Sequence, residues 1–363
     1  MKKKLVFTIT KSNWGGAQKY VYTLAHEASK TRNFDVTVVS GNDGELLHKL
    51  RSLGITTRVL PLANSLNPFR LIPEIASYYS FFKEHGPDII HANSNKAGII
   101  SALAGALYKA QSRRRVLSLF TIHGHAFNES RSYISKLYIM CAEVYMLALI
   151  DKVICVSKKV YDDIPLSFLF AAKSSVIYNG LPLLHFYTKE NARERLGITD
   201  HTTHHFATIA ELNDNKNHVY LLRELHSRKE PYIYHIIGTG VNEPYIRRFI
   251  HDHNMSDKVV LHGHLDDAYA YLRAFDLFIL PSKTEALAYV IQEAGQAGIK
   301  TIASRVGGLP ELLPQEFLFA LHNTHELHDL LSRLETLPLH TTYFKQEDMV
   351  QQTFNLYTQG TLL

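Results

Sequence analysis

The chain has 363 residues, 46% hydrophobic and 20% charged with both signs interspersed, which excludes long disorder and supplies cores for two ordinary domains. Its two cysteines, Cys141 and Cys155, exclude a disulfide framework, no Cys/His group has the spacing of a structural zinc site, and a reducing cytoplasm fits best. The formal charge of +5, from 39 Lys plus Arg against 34 Asp plus Glu, suits an anionic substrate or membrane surface as readily as nucleic acid and singles out no partner.

The basic start is followed by an apolar run, 5–10, too short for a signal sequence or a membrane span; it reads as a first strand. From there short β-branched runs alternate with amphipathic stretches, the pattern of a parallel sheet flanked by helices. In the first half, strands are expected at 5–10, 36–40, 88–92, 117–123, 153–157 and 176–178, with helices at 17–29, 71–85, 97–108 and 133–149. Lys109, Arg113, Arg114 and Arg115 follow the third of these helices; they complement a helix end and a solvated turn, or else meet acidic lipid headgroups. The apolar, aromatic and basic segment 133–149 suits an ordinary buried helix or one resting on headgroups. The series then repeats, with strands at 205–210, 232–238, 259–262, 277–280 and 301–304 and helices at 219–228, 244–253, 268–274, 288–298 and 326–335. Two doubly wound domains follow, joined within 182–203, with a ligand cleft between them at the carboxyl ends of the strands. His201, His204 and His205 cluster in the polar joint and read as solvated.

Chemistry is to be sought just after each strand. Asn13, Trp14, Gly15, Gly16, Ala17 and Gln18 follow the first; the paired glycines let the backbone bend into a helix start and approach a ligand, or serve as a turn only. His123 and Gly124 end the fourth strand, where an imidazole can donate to a hydroxyl or phosphate, act as acid or base, or simply satisfy nearby backbone. Lys216, in the run Asp214 to His218, is a point cation where a phosphate can lie. Permissive glycines recur at Gly238, Gly240, Gly263, Gly307 and Gly308. Glu285 follows the strand 277–280, and Glu293 lies beyond it with seven residues between. This layout suits a nucleotide-sugar: the first acid accepts from sugar hydroxyls and the intervening helix start offers N–H groups to a diphosphate. The second acid lies roughly 8–12 Å on, about the length of the diphosphate linker. A solvated pair of helix glutamates is the plainer alternative.

Taken in order, Gly15-Gly16-Ala17-Gln18, Ile122-His123-Gly124, Val176 to Gly180, Leu212 to His218, Gly238-Thr239-Gly240, the Glu285 and Glu293 pair, and Val306 to Glu311 give a chain that resembles the retaining glycosyltransferases of glycosyltransferase family 4, of the bacterial surface-polysaccharide type. The resemblance implies the GT-B fold: an α/β chain of two Rossmann-like doubly wound domains facing across a cleft. An acceptor-binding domain would span 1–182, with a tail at 346–363 packing back on it, and a nucleotide-sugar-binding domain 183–345. It implies transfer of a sugar from a nucleoside diphosphate sugar, a UDP-sugar, to a hydroxyl of a lipid-linked or glycan acceptor, with retention. No cofactor, obligatory metal or nucleic acid is expected, and the setting is the cytoplasm or the inner membrane face, in contact with acidic lipid. His123, Lys216 and Glu285 would form the catalytic set: Glu285 on the donor sugar, Lys216 on the diphosphate, His123 against the donor. Gly15, Gly16, Gly238, Ala286, Leu287, Ala288 and Glu293 would bind substrate, with Glu293 on the ribose. Two positions depart from the pattern: Glu211 stands where many relatives carry an Arg, so that either another cation such as Arg305 substitutes or Glu211 faces away from phosphate, and Ala286 stands where Gly is common. A nucleotide-sugar epimerase, or a binding protein without turnover, are the other classes open to this architecture.

Overall fold

The computed structural model describes residues 2–62, 68–112, 114–125, 133–200, 202–340 and 342–359. It divides into two compact units, Met1–Asn179 with Glu347–Leu363, and Gly180–Gln346.

The first unit runs β1 (Lys3–Ile9), α1 (Gly16–Lys30), β2 (Phe34–Ser40), α2 (Glu45–Ser52), β3 (Thr56–Val59), α3 (Pro68–His85), β4 (Ile89–Ala92), α4 (Asn95–Ser112), β5 (Leu117–Ile122), α5 (Tyr133–Leu149), β6 (Lys152–Cys155), α6 (Lys158–Asp162) and β7 (Ser174–Val176). The strands pair in parallel in the order β3-β2-β1-β4-β5-β6-β7. Successive strand side chains point to opposite faces, so β1 feeds two cores. Leu5, Phe7 and Ile9 pack with Tyr20 and Leu24 of α1 and Leu46 and Leu50 of α2, while Val6 packs with Tyr78 and Phe82 of α3 and Ile100 and Ala104 of α4. A strand covered on both faces must be apolar at nearly every position, which is why the run 5–9 is legible as a strand. The last helix of the chain (Gln346–Gln359) joins the first of these cores through Met349 and Tyr357.

The second unit runs α7 (Lys189–Leu196), β8 (His204–Ile209), α8 (His218–His226), β9 (Tyr232–Ile237), α9 (Glu243–Asp252), β10 (Val259–Gly263), a 3₁₀ segment (Ala268–Ala274), β11 (Leu277–Leu280), α10 (Tyr289–Ala297), β12 (Lys300–Ser304), β13 (Leu318–Phe319) and α11 (Thr324–Ser332); the last helix of the chain is then α12. Its strands are parallel in the order β10-β9-β8-β11-β12-β13. The stretch 182–203, expected as a joint, instead contains α7, capped by Thr188 accepting from the Asn191 N–H and stopped by Gly197 at φ +68°. The chain passes twice between the units, and the two passages are bonded to each other: the Leu181 N–H donates to the Phe344 carbonyl at 2.9 Å and the Gln346 N–H to the Leu181 carbonyl at 3.0 Å.

His205 corrects the reading of a solvated histidine cluster. It is a buried residue of β8, bonded through Nδ1 to His235 at 2.9 Å, whereas half-exposed His204 pairs with Glu335. Strand alternation explains the split, one ring facing in and its neighbour out. His201, Arg113 and residues 360–363 lie outside the described residues. Arg114 and Arg115 are exposed, and Lys109, in the last turn of α4, pairs with Asp151 at 2.5 Å. Among the described residues no helix is long and apolar enough to cross a membrane.

Candidate active site

In the second unit the strand order reverses at β8, which lies between β9 and β11. In such a sheet the loops leaving the carboxyl ends at the reversal diverge and open a crevice. The loop after β8 carries Lys216, the loop after β11 carries Glu285, and the two side chains meet: Lys216 Nζ donates to Glu285 Oε1 at 2.5 Å. Ser282 Oγ donates to the same oxygen at 2.6 Å, and the Ser304 hydroxyl holds the Ser282 carbonyl at 2.5 Å. Two donors on Oε1 fix the carboxylate plane and direct Oε2 away from them. The pair is only partly accessible, with the Glu285 side chain 10% exposed, so its attraction is less screened than that of a surface pair.

The loop after β12 supports Glu285 from behind. The Gly308 N–H donates to the Glu285 carbonyl at 3.1 Å, and Gly307 sits at φ +54°, where an added Cβ would lie 1.6 Å from that oxygen. Glycine is required at 307 for its conformation and for the contact. Gly238 serves the neighbouring loop in the same way: at φ +140° its added Cβ would fall 2.1 Å from the Ala210 carbonyl, on the segment leading to Lys216. Ala286 is half-buried; Leu287 and Ala288 are buried and bring the chain into α10, whose N-cap, Ala288, offers no capping side chain. The start of α10 carries the positive end of the helix dipole. Glu293 lies further along α10, 9% exposed, where its charge contributes, after burial and Asp267, to raising the Tyr269 phenol. Glu211 is exposed and its carbonyl accepts from buried His218, whose imidazole burial pulls down to about 4. Arg305, the candidate substitute cation, pairs with Glu326 at 3.1 Å and donates to the Leu318 carbonyl at 3.2 Å.

His123, Gly15 and Gly16 belong to the first unit. Gly15 is the extended N-cap of α1 and Gly16 its first residue, with no capping side chain, and Gln18 closes the loop by donating to the Lys11 carbonyl at 2.8 Å. His123 follows β5, donates Nε2–H to Asn93 Oδ1 at 3.3 Å, and stands edge-on to Tyr20. Burial lowers its pKa to about 3, so the ring is neutral at physiological pH, with one nitrogen a donor and the other an acceptor. Asn93 Nδ2 in turn holds the His91 carbonyl, and the His91 ring bridges Thr121 and Tyr357 at 2.7 and 2.6 Å. Another buried pair, absent from the sequence reading, joins His125 Nδ1 to Glu143 at 2.6 Å. Burial alone would push His125 down, but the hydrogen bond and charge of Glu143 outweigh it and the net shift is upward. Ser282, Ser304 and Asn93 were likewise missed: small polar residues beside a site carry no spacing signal. Among the described residues no group of three or more His, Cys, Asp or Glu side chains could hold a metal ion.

Two family models match the chain, Glycosyltransferase Family 4 over residues 14–183 and Glycosyl transferases group 1 over residues 203–336. The chain belongs to glycosyltransferase family 4. Among curated relatives of this family 4 glycosyltransferase is the UDP-Gal:alpha-D-GlcNAc-diphosphoundecaprenol alpha-1,3-galactosyltransferase of Escherichia coli, 24% identical over 319 residues, 85% of this chain and 81% of the relative. The capsular polysaccharide biosynthesis glycosyltransferase CapH of Staphylococcus aureus is 23% identical over 84% of this chain and 81% of its own length. Among solved structures, Anabaena HepE in complex with UDP and glucose superimposes with a TM-score of 0.82 at 19% identity, covering 98% of this chain and 99% of that one. That likeness establishes the GT-B fold.

Proposed function

We propose that this glycosyltransferase moves a sugar, with retention of anomeric configuration, from a UDP-sugar to a hydroxyl of a lipid-linked or glycan acceptor in surface polysaccharide assembly. The observation that carries this reading is the meeting of Lys216 and Glu285 at the switch point of the second sheet, beside the start of α10. The relatives in O-antigen and capsule synthesis support the pathway class, and the galactosyltransferase name supports a UDP-sugar and a polyprenyl diphosphate acceptor. In this reading the second unit holds the donor and the first unit the acceptor. Breaking the bond from anomeric carbon to phosphate develops negative charge on the diphosphate, which Lys216 and the N–H groups of α10 stabilise. Glu285 Oε2 accepts from donor-sugar hydroxyls, Glu293 from the ribose, and neutral His123, its Nε2–H on Asn93, accepts from a hydroxyl of the donor through Nδ1. The departing diphosphate takes the acceptor's proton on the same face, so the reaction needs no protein nucleophile, cofactor or metal ion.

The reading also places the enzyme on the cytoplasmic membrane face through α5. Tyr133, Ile134, Leu137, Tyr138 and Tyr145 are 51–82% exposed and repeat at helical spacing along one stripe, a surface that suits the headgroup boundary. Flotation with anionic vesicles tests this part: Leu137→Glu with Tyr138→Glu should abolish it while leaving UDP binding unchanged, and undiminished flotation would discard the α5 contact. The donor site is tested by UDP binding and turnover of a UDP-hexose. Glu293→Ala should remove UDP binding, while Glu285→Ala should weaken turnover on the order of a hundredfold with a smaller loss of UDP affinity. Equal loss of UDP affinity in both variants would show that the two acids do not divide the donor between them.

A further inference from the structure

The loop bearing Lys216 and the loop bearing Glu285 come from opposite sides of the switch point, and one side chain makes two hydrogen bonds between them. Asn215 Nδ2 donates to the Thr284 carbonyl at 2.9 Å, and Asn215 Oδ1 accepts from the Thr284 N–H at 3.1 Å. The backbone repeats the contact, with the Lys283 N–H donating to the Asn215 carbonyl at 2.7 Å. Within its own loop Asn215 is held by Asn213, whose Oδ1 accepts from the N–H groups of both Asn215 and Lys216 at 3.1 Å. Asn217, left-handed at φ +58°, adds a further tie through Nδ2 to the Pro281 carbonyl at 3.2 Å. One residue after the staple stands Lys216, and one residue after Thr284 stands Glu285.

We propose that Asn215 is a positioning residue that reads both backbone groups of Thr284 and so sets the Lys216 cation against the Glu285 carboxylate before any donor arrives. An amide is needed because Thr284 presents one acceptor and one donor; a carboxylate satisfies only the N–H, and a hydroxyl is too short to span both. Rigid placement matters because a cation that must be reorganised during bond breaking contributes less to the transition state than one already in place. The consequence for function rests on the reading of Lys216 as the diphosphate cation; the staple itself does not.

The test uses the full chain with Asn215→Ala, Lys216→Ala and the double variant. In the unliganded protein, amide exchange at Thr284 should accelerate on the order of tenfold in Asn215→Ala, while β8 amides keep their protection; unchanged exchange at Thr284 overturns the staple. With UDP as the probe, Asn215→Ala should weaken binding on the order of tenfold, and its effect should vanish in the Lys216→Ala background, because a residue that acts through Lys216 has nothing left to position. Additive losses overturn the positioning role. Unchanged UDP affinity in Lys216→Ala, with Thr284 exchange still accelerated, overturns the assignment of Lys216 and leaves the staple standing. Should Asn215→Ala lose β8 protection as well, Asn215→Asp, which keeps the shape and the acceptor, carries the same cycle.

Discussion

Acid should destabilise the second unit through one buried ring. His205, His235 and His262 come from β8, β9 and β10 and form a chain: His205 Nδ1 to His235 Nε2 at 2.9 Å and His235 Nδ1 to His262 Nε2 at 2.8 Å. His205 Nε2 points at the Asp200 carbonyl, 3.1 Å away, which can only accept. The protons therefore run one way, with His235 donating to His205 and accepting from His262. A second proton on His235 Nδ1 would face the Nε2–H that His262 donates to it, and burial, followed by the His262, His205 and Arg193 charges, pulls its pKa from 6.5 to about 3. His235 is 2% exposed, so solvent screening takes little from this figure. Because the folded pKa is depressed, the unfolded chain binds the proton first: stability is whole above 6.5 and falls as pH drops toward 3. The limiting slope is about 1.4 kcal/mol per pH unit, so between pH 7.5 and 5 His235 alone should cost about 2 kcal/mol. His235→Gln is the informative variant, since an amide supplies one donor and one acceptor and cannot titrate. The assay is urea unfolding at pH 7.5, 6.5 and 5, read by amide exchange in β8 and β9. The emission of Trp14, the chain's single tryptophan, which lies in the first unit, serves as the internal control. The second-unit profile of His235→Gln should be flatter than that of the natural chain by that amount, with no change in the Trp14 profile. Parallel second-unit profiles would refute the argument.

Gly307→Ala should disable the site from outside it. The left-handed backbone alone costs about 1–2 kcal/mol for a residue with a Cβ, and the contact with the Glu285 carbonyl forces the 283–286 loop to move. Turnover of a UDP-hexose and melting temperature should both fall, and an unaltered melt would remove the steric argument. Tyr357→Phe should cost about 1–3 kcal/mol by leaving His91 Nδ1 without its partner in a buried site, seen as earlier loss of the Trp14 signal in urea; a loss below about 0.5 kcal/mol would mean that the hydroxyl is not needed there.

Strand runs that are covered on both faces were legible because burial leaves them almost no polar position; Leu5 to Ile9 and Leu277 to Leu280 are such runs. β3 (Thr56–Val59) was not, since an edge strand needs only one covered side and its residues are largely exposed. α7 was missed although its signals were present, Thr188 before it and Gly197 after it, because the surrounding Pro, His and Thr read as a joint. His205 was misplaced for a related reason: a polar residue at the edge of a linker looks solvated until its strand neighbours bring two more imidazoles within reach.

The candidate site shows where such reading ends. Lys216 and Glu285 could each be singled out by residue type and place after a strand, but they lie 69 residues apart, and nothing in their spacing brings them together. What does so is the order of strands. With β8 beside β11, the loops after these strands lie next to each other at the carboxyl end of the sheet; with the two strands apart in the order they would not. Glycines at 238 and 307, legible as permissive positions, acquire their reason only when the Ala210 and Glu285 carbonyls are seen against them. Ser282 and Asn215 carried no signal at all, because a hydroxyl or an amide orients a neighbour by pointing, and pointing is a property of the folded backbone. The chemistry of this site is thus written in its charged residues, and its geometry in neutral ones.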